Sequence, residues 1–347
     1  MKNALILFKD QKKLVDTKTL NSIIDSFAQE NFNIDGIYIF SYDGKEEFEI
    51  NFSKIRQAYD NVFIVESTRN KFDVAKITST EEKEGFSLFI LQEEKALEEI
   101  KQRVILKLQE KYSVKYGKVI FKVFGLEEDR ITATTRLIER KVNVKFNVFG
   151  QNLDYKVEIV YDDKSTKMDF DYAQKEFIKA FKDNIYAEKD VEIEKMLVDL
   201  LKLRKCVIST CESFTGGNIS AKITSVSGAS SVFYEGIVSY NENSKAERLN
   251  VSKSSLAKYK PVSGQVAGEM ACGLIKAGHS TVAISTTGIA GPNSDDSGFP
   301  VGLCFIGVAY NGEINVYRYV FDGSRDEIIE KGTKMAMFLA IKCIKNI

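Results

Sequence analysis

Short apolar runs alternating with amphipathic stripes constrain this chain more than any other feature. Ala4 to Phe8, Ile37 to Phe40, Asn61 to Val65 and Phe86 to Leu91 are too short for helices and rich in β-branched and aromatic residues. Between the first two, Thr17 to Asn31 carries Leu20, Ile23, Ile24 and Phe27 on one helical stripe, and a helix with Ile55 and Ala58 inward precedes the third. A long charged helix, Glu93 to Lys111, follows the fourth. Strands that alternate with helices are joined by crossovers, which implies a parallel sheet covered by helices. The third run leads into Glu66-Ser67-Thr68-Arg69-Asn70, with no glycine to bring backbone close to a phosphate.

The rhythm changes near Val114. Lys118 to Gly125 alternates apolar with basic residues, and two further alternating strands between Val142 and Asp162 flank the hairpin signal Phe149-Gly150-Gln151-Asn152. Asp169 to Ile185 closes this stretch as a helix. The reading is a small α+β module whose Lys122, Lys141 and Lys145 line a wet sheet face; nucleic acid is not the expected partner. A charged boundary at Ala187-Glu188-Lys189-Asp190 then precedes a helix bearing Met196, Leu197, Leu200 and Leu201. The expected domains are 1–112, 113–187 and 188–347, consistent with a chain of 347 residues that exceeds one ordinary core.

Composition excludes several classes. Lys+Arg and Asp+Glu are equal at 49 each, so no global charge excess attracts nucleic acid or a membrane surface. Five cysteines without CxxC spacing read as reduced thiols of a cytoplasmic protein, and no segment has the apolar length of a membrane span. The single histidine, His279, removes a Ser-His-Asp triad or a two-His metal centre as templates, so neither metal nor cofactor is expected and a base would be Lys, Tyr or a carboxylate.

The chemistry gathers in the last segment. Cys206 to Thr210 reads as a buried strand that breaks at Glu212-Ser213-Phe214-Thr215-Gly216-Gly217 before Asn218 to Ile223 begins a helix. Such a turn lies at the carboxyl edge of a sheet, where the positive helix end faces an anion. Further strands are expected at Gly236–Tyr240, Thr281–Thr286, Val301–Ala309 and Ile314–Phe321, with helices at Gly264–Ala277 and Asp326–Asn346. Thr286 to Pro292 is another strand running into small residues able to form an anion nest, and Asp322 to Asp326 places Arg325 at a helix start.

At these residues the chain resembles the CinA (competence/damage-inducible) family. Glu212 to Gly217 stands for the family's ESCTGG, Val238-Ser239-Tyr240 through Lys245 for its VxYSNxxK, and Thr287 to Pro292 for its TGIAGP; Ser230 to Phe233, Pro300-Val301-Gly302 and Gly323 to Asp326 match as well. The resemblance spans residues 190 to 347. It implies an α/β multidomain chain: a shortened molybdopterin-binding-like domain, a KH-like module and an αβα-layered C-terminal domain. The implied activity is nicotinamide-mononucleotide deamidation to nicotinate mononucleotide and ammonia; edge strands able to pair suggest a homodimer. The family's N-terminal ADP-ribose pyrophosphatase is read as lost, since its glycine-rich signature is absent. The rival readings are residual pyrophosphatase activity there and a non-enzymatic scaffold for DNA uptake or repair.

Carried over by position, Ser230 is the nucleophile and Lys245 its base, with Ser213 the other serine able to attack. Tyr240 would relay the proton to departing ammonia, and Arg325 would meet the phosphate. Ser213 and Thr287, with the N–H groups of Gly216 and Gly288, would hold the carboxamide and its oxyanion; Glu212, Thr215, Gly217, Ala290 and Gly291 would line the substrate. The chain departs from the family at Phe214 (for a cysteine), Gly264 (for a glutamate) and Asn293-Ser294-Asp295-Asp296 (for a Gly-Gly turn).

Overall fold

The computed structural model describes residues 1–10, 17–28, 30, 32–78, 85–112, 117–162, 164–294 and 298–345, in two compact units, Met1–Tyr116 and Gly117–Ile347. In the first unit, β1 (Asn3–Lys9), α1 (Thr17–Ala28), β2 (Gly36–Ser41), α2 (Lys45–Ala58), β3 (Asn61–Glu66), α3 (Val74–Thr78) and β4 (Ser87–Gln92) alternate as the sequence implies. The sheet order is β2-β1-β3-β4, all parallel. Apolar clusters fill both faces: Leu5, Phe27 and Phe63 on one, Ile6, Phe48 and Ile64 on the other. That two-sided burial is why β1 and β3 read as unbroken apolar runs. The helix expected over Glu93 to Lys111 is α4 (Ala96–Glu99) and α5 (Ile105–Tyr112), joined by a π-helical turn at Ile100–Val104. Of the residues named from the sequence, Asn31, Val114, Asp295, Asp296 and Asn346 lie outside the described ones.

The second unit begins with β5 (Gly117–Phe124), α6 (Glu128–Glu139), β6 (Lys145–Gln151), β7 (Asp154–Tyr161), α7 (Lys167–Phe181) and β8 (Ile185–Ala187), an antiparallel sheet of order β6-β7-β5-β8. One face carries Phe121, Val157 and Phe177 beneath the two helices. The other is built of paired charges. Lys122 is buried, 3.8 Å from Asp154 and 3.4 Å from Glu192, while Lys156 lies 3.3 Å from Glu158 and 3.5 Å from Asp190. Lys122 and Lys156 thus face carboxylates, not open solvent.

The chain continues through α8 (Ile193–Arg204), β9 (Ile208–Glu212), α9 (Asn218–Ser225), β10 (Phe233–Val238), α10 (Glu242–Leu249), α11 (Lys253–Tyr259), α12 (Gly264–Lys276), β11 (Val282–Gly288), β12 (Leu303–Tyr310), β13 (Glu313–Val320) and α13 (Arg325–Lys345). The order β10-β9-β11-β12-β13 sets three parallel strands beside an antiparallel pair. α8, α9 and α13 cover one face and α12 with its neighbours the other, giving three layers. Every residue of β9 is buried, whereas the edge strands β10 and β13 are largely open. The sequence divided the chain near residue 187, but contacts run across that point because one cluster joins Phe124, Leu153 and Tyr186 to Leu197, Phe338 and Ile341. Among the described residues, no helix is long and apolar enough to cross a membrane.

Candidate active site

Because β9, β10 and β11 are parallel, their carboxyl ends share one edge, and β13, antiparallel to β12, ends there too. Residues that follow these four strands are therefore neighbours in space: Ser213 after β9, Ser239 and Tyr240 after β10, Thr287 and Gly288 at the end of β11, and Arg325 after β13.

Lys245 is the centre of this edge. Asn241 caps α10 by accepting from the N–H of Asn243, and Lys245 lies in the first turn of that helix. A capping Asn followed by an acid at Glu242 is the signal for a helix start that the linear reading passed over. The helix turns Lys245 inward until only 1% of it is exposed. Its Nζ donates to Ser213 Oγ at 3.0 Å and to the carbonyl of Ser239 at 2.5 Å. Burial pushes its pKa down to about 8, against the opposing pull of the Cys211 thiol and the Glu242 carboxylate. Ser213 is itself held in place, its N–H donating to Thr286 O at 3.0 Å and so extending the β9–β11 pairing by one residue past the strand.

Ser230 does not belong to this arrangement. It lies exposed in a short 3-10 turn, Ala229–Ser231, just before β10, and the first residue of β10 pairs with Ile208, the first of β9. Ser213 follows the last residue of β9, so within one chain the two serines occupy opposite edges of the sheet. The expectation set Ser230 beside Lys245; within one chain the serine at Lys245 is Ser213.

The glycine turn is corrected as well. Gly216 and Gly217 take φ of +62° and +99°, a left-handed pair that residues with a Cβ resist. Their N–H groups do not point at a ligand. Gly216 donates to Ser213 O at 3.1 Å and Gly217 to the Glu212 carboxylate at 3.0 Å. Glu212 is fully buried within its own turn, and Thr215, also buried, donates to it at 2.8 Å. Both side chains hydrogen-bond within the turn itself.

Thr287 is buried and donates to Pro261 O at 2.8 Å, fixing the approach to α12. Gly288 faces Cys304 so closely that a Cβ would come within 2.6 Å of the cysteine's own, which explains a glycine there. Ala290 is buried, and Gly291 offers its carbonyl to Arg325 Nη1. The other guanidinium nitrogen, Nη2, donates to Tyr240 Oη at 3.4 Å. Arg325 and Tyr240 are both exposed, so a cationic, aromatic rim lies at the same sheet edge as the buried Ser213–Lys245 pair. Phe214 turns away from the edge and packs under α13, where a Cβ on Gly332 would collide with its ring. Gly264 opens α12 in ordinary contact distance of Val316 and Phe305. Among the described residues no cluster of His, Cys, Asp and Glu could hold a metal ion.

Comparison with known proteins centres on this region. Residues 190–344 match the family model described as the CinA C-terminal domain. A relative from Clostridium beijerinckii, provisionally named a competence-damage inducible protein, is 34% identical over 226 residues, 64% of this chain and 55% of its own. One of the same name from Clostridium botulinum is 43% identical over 145 residues, 42% of this chain and 36% of its own. The chain thus spans about half or less of these relatives' length. The crystal structure of competence/damage inducible protein CihA from Agrobacterium tumefaciens is 28% identical, covers 46% of this chain and 99% of its own, and superposes with a TM-score of 0.42. Residues 190–344 belong to the CinA C-terminal domain family.

Proposed function

We propose that the C-terminal sheet edge hydrolyses the carboxamide of nicotinamide mononucleotide, with Ser213 as nucleophile and Lys245 as its base. The observation that carries this reading is the 3.0 Å contact between Lys245 Nζ and Ser213 Oγ, in a place where burial brings the amine to about 8. A free lysine, near 10.4, is almost wholly protonated at neutral pH, whereas one near 8 leaves a useful fraction of neutral amine. That amine accepts the Ser213 proton as Oγ attacks the carboxamide carbon. The resulting oxyanion collapses, the C–N bond breaks, and ammonia leaves with the proton returned by Lys245. Water then enters by the same base catalysis, breaks the acyl ester and regenerates Ser213, so the balance is amide plus water to carboxylate plus ammonia. In this reading Arg325 binds the phosphate at the rim and Tyr240 stands between it and the departing nitrogen.

The test is turnover by the purified chain. Ammonia release from nicotinamide mononucleotide should rise with pH through a limb near 8, since the deprotonated amine is the active form. Replacing Lys245 with Met should lower turnover by about 10² to 10⁴ and abolish that limb. A folded Lys245→Met protein with the parent's rate and profile removes Lys245 from the mechanism.

A further inference from the structure

The turn between β9 and α9 has the shape of an anion site, yet its donors converge on a side chain of the chain itself. One oxygen of Glu212, Oε2, accepts from Thr215 Oγ1 at 2.8 Å, Gly217 N at 3.0 Å and Ile219 N at 3.1 Å. The other, Oε1, accepts from Ser220 N at 2.9 Å and Ser220 Oγ at 2.7 Å, with Thr210 Oγ1 at 3.4 Å. The carboxylate is fully buried and lies at the amino end of α9, where oriented N–H groups favour a negative charge. A second hydroxyl layer extends the network, as Thr215 Oγ1 meets Thr286 Oγ1 at 2.7 Å. Since Thr286 O also receives the N–H of Ser213, the Glu212 network and the Ser213 backbone are tied to the same residue of β11.

We propose that Glu212 is an internal anion: its carboxylate fills the position where such a strand–turn–helix would take a ligand's phosphate, and it acts as a positioning residue for Ser213. Two consequences follow. The helix end is closed to substrate, so an anionic group of the ligand is recognised on the other side of the edge, at the Arg325 rim. The turn from Thr215 to Ser220 is clamped to the residue immediately before Ser213, which fixes where Oγ stands relative to Lys245. The hydrogen bonds of Lys245 go to Ser213 and Ser239, and those of Glu212 to its own turn, so Glu212 works through the position of Ser213.

The second consequence rests on the amidase reading, and the test separates the two. In the full chain, Glu212→Gln keeps the volume but puts a donor among donors; turnover should fall by about 10²-fold, the cost of a small misplacement of the nucleophile, while KM and the pH limb near 8 stay where they are. Glu212→Ala empties the position. Added acetate, which restores a carboxylate there, should raise that variant's unfolding temperature and recover part of its turnover, and should do neither to the parent. A raised KM with unchanged kcat in Glu212→Gln would mean that Glu212 touches substrate, and acetate stabilising the parent as much as the variant would mean that the helix end is open; either overturns the proposal. If the parent releases no ammonia, the amidase reading fails while the acetate-dependent unfolding still decides whether Glu212 is an internal anion. Should Glu212→Ala fail to fold even with acetate, the kcat–KM split of Glu212→Gln decides.

Discussion

Lys245 shows how burial converts an ordinary residue into a reactive one. A lysine whose folded pKa is about 8, below its unfolded value of 10.5, binds fewer protons folded than unfolded between those limits. Its contribution to stability therefore rises as pH climbs from about 8 to 10.5, and below 8 the cost of burying the ammonium is present in full. Lys245→Met should erase this dependence, so the stability gap between the variant and the parent, followed by chemical denaturation at several pH values, should change across that window and nowhere below it. A gap independent of pH would show that the amine is not desolvated. Phe214 gives a second test at the same scale. Its ring occupies the space that a side chain on Gly332 would need, so Gly332→Ala should destabilise by about 1–3 kcal/mol through overpacking. An unchanged denaturation midpoint would contradict that packing.

At the scale of elements, the strands and helices of the C-terminal sheet were legible because their signals are local: β9 and β11 begin with apolar residues and are buried on both faces, and α12 and α13 carry long stripes. What was not legible depends on three-dimensional placement. The family motif brings Ser213, Ser230 and Lys245 into one line of sequence, but only the parallel register of β10 on β9 reveals that Ser230 precedes a strand while Ser213 follows one. The glycine turn likewise looked ready for a ligand because periodicity cannot tell that Glu212 folds back onto the helix it precedes. The ties between β7 and α13 were invisible for the same reason. Asp154, buried, accepts from Lys334 at 2.7 Å and from Tyr186 Oη at 3.0 Å, across 180 and 32 residues of sequence. Burial alone would depress Lys334, but the carboxylates of Asp154, Glu330 and Glu192 together more than offset it, so its pKa is raised. Asp154→Ala would remove the buried carboxylate that Lys334 and Tyr186 meet, leaving Lys334 with Glu330 at 3.5 Å, and urea denaturation should register a loss of about 3–5 kcal/mol. A loss under 1 kcal/mol would mean that the pair relaxes to water.

For the whole molecule, function and folding divide at different points. Every residue of the proposed chemistry lies between Glu212 and Arg325, but the core that supports α13 also draws on Phe124, Leu153 and Tyr186. A fragment of residues 117–347 should therefore keep both the parent's turnover and a cooperative unfolding transition, whereas 190–347, stripped of that apolar cover, should turn over substrate but unfold at lower temperature. Equal unfolding temperatures for the two fragments would show that the small antiparallel sheet lends α13 no support. The central claim, that one serine at the carboxyl edge of this sheet performs the reaction, is most directly tested by measuring ammonia release from nicotinamide mononucleotide with the full chain, Ser213→Ala and Ser230→Ala side by side. Ser213→Ala should lose about 10³-fold or more while Ser230→Ala keeps the parent's rate; full activity in Ser213→Ala, with loss in Ser230→Ala, would contradict the account.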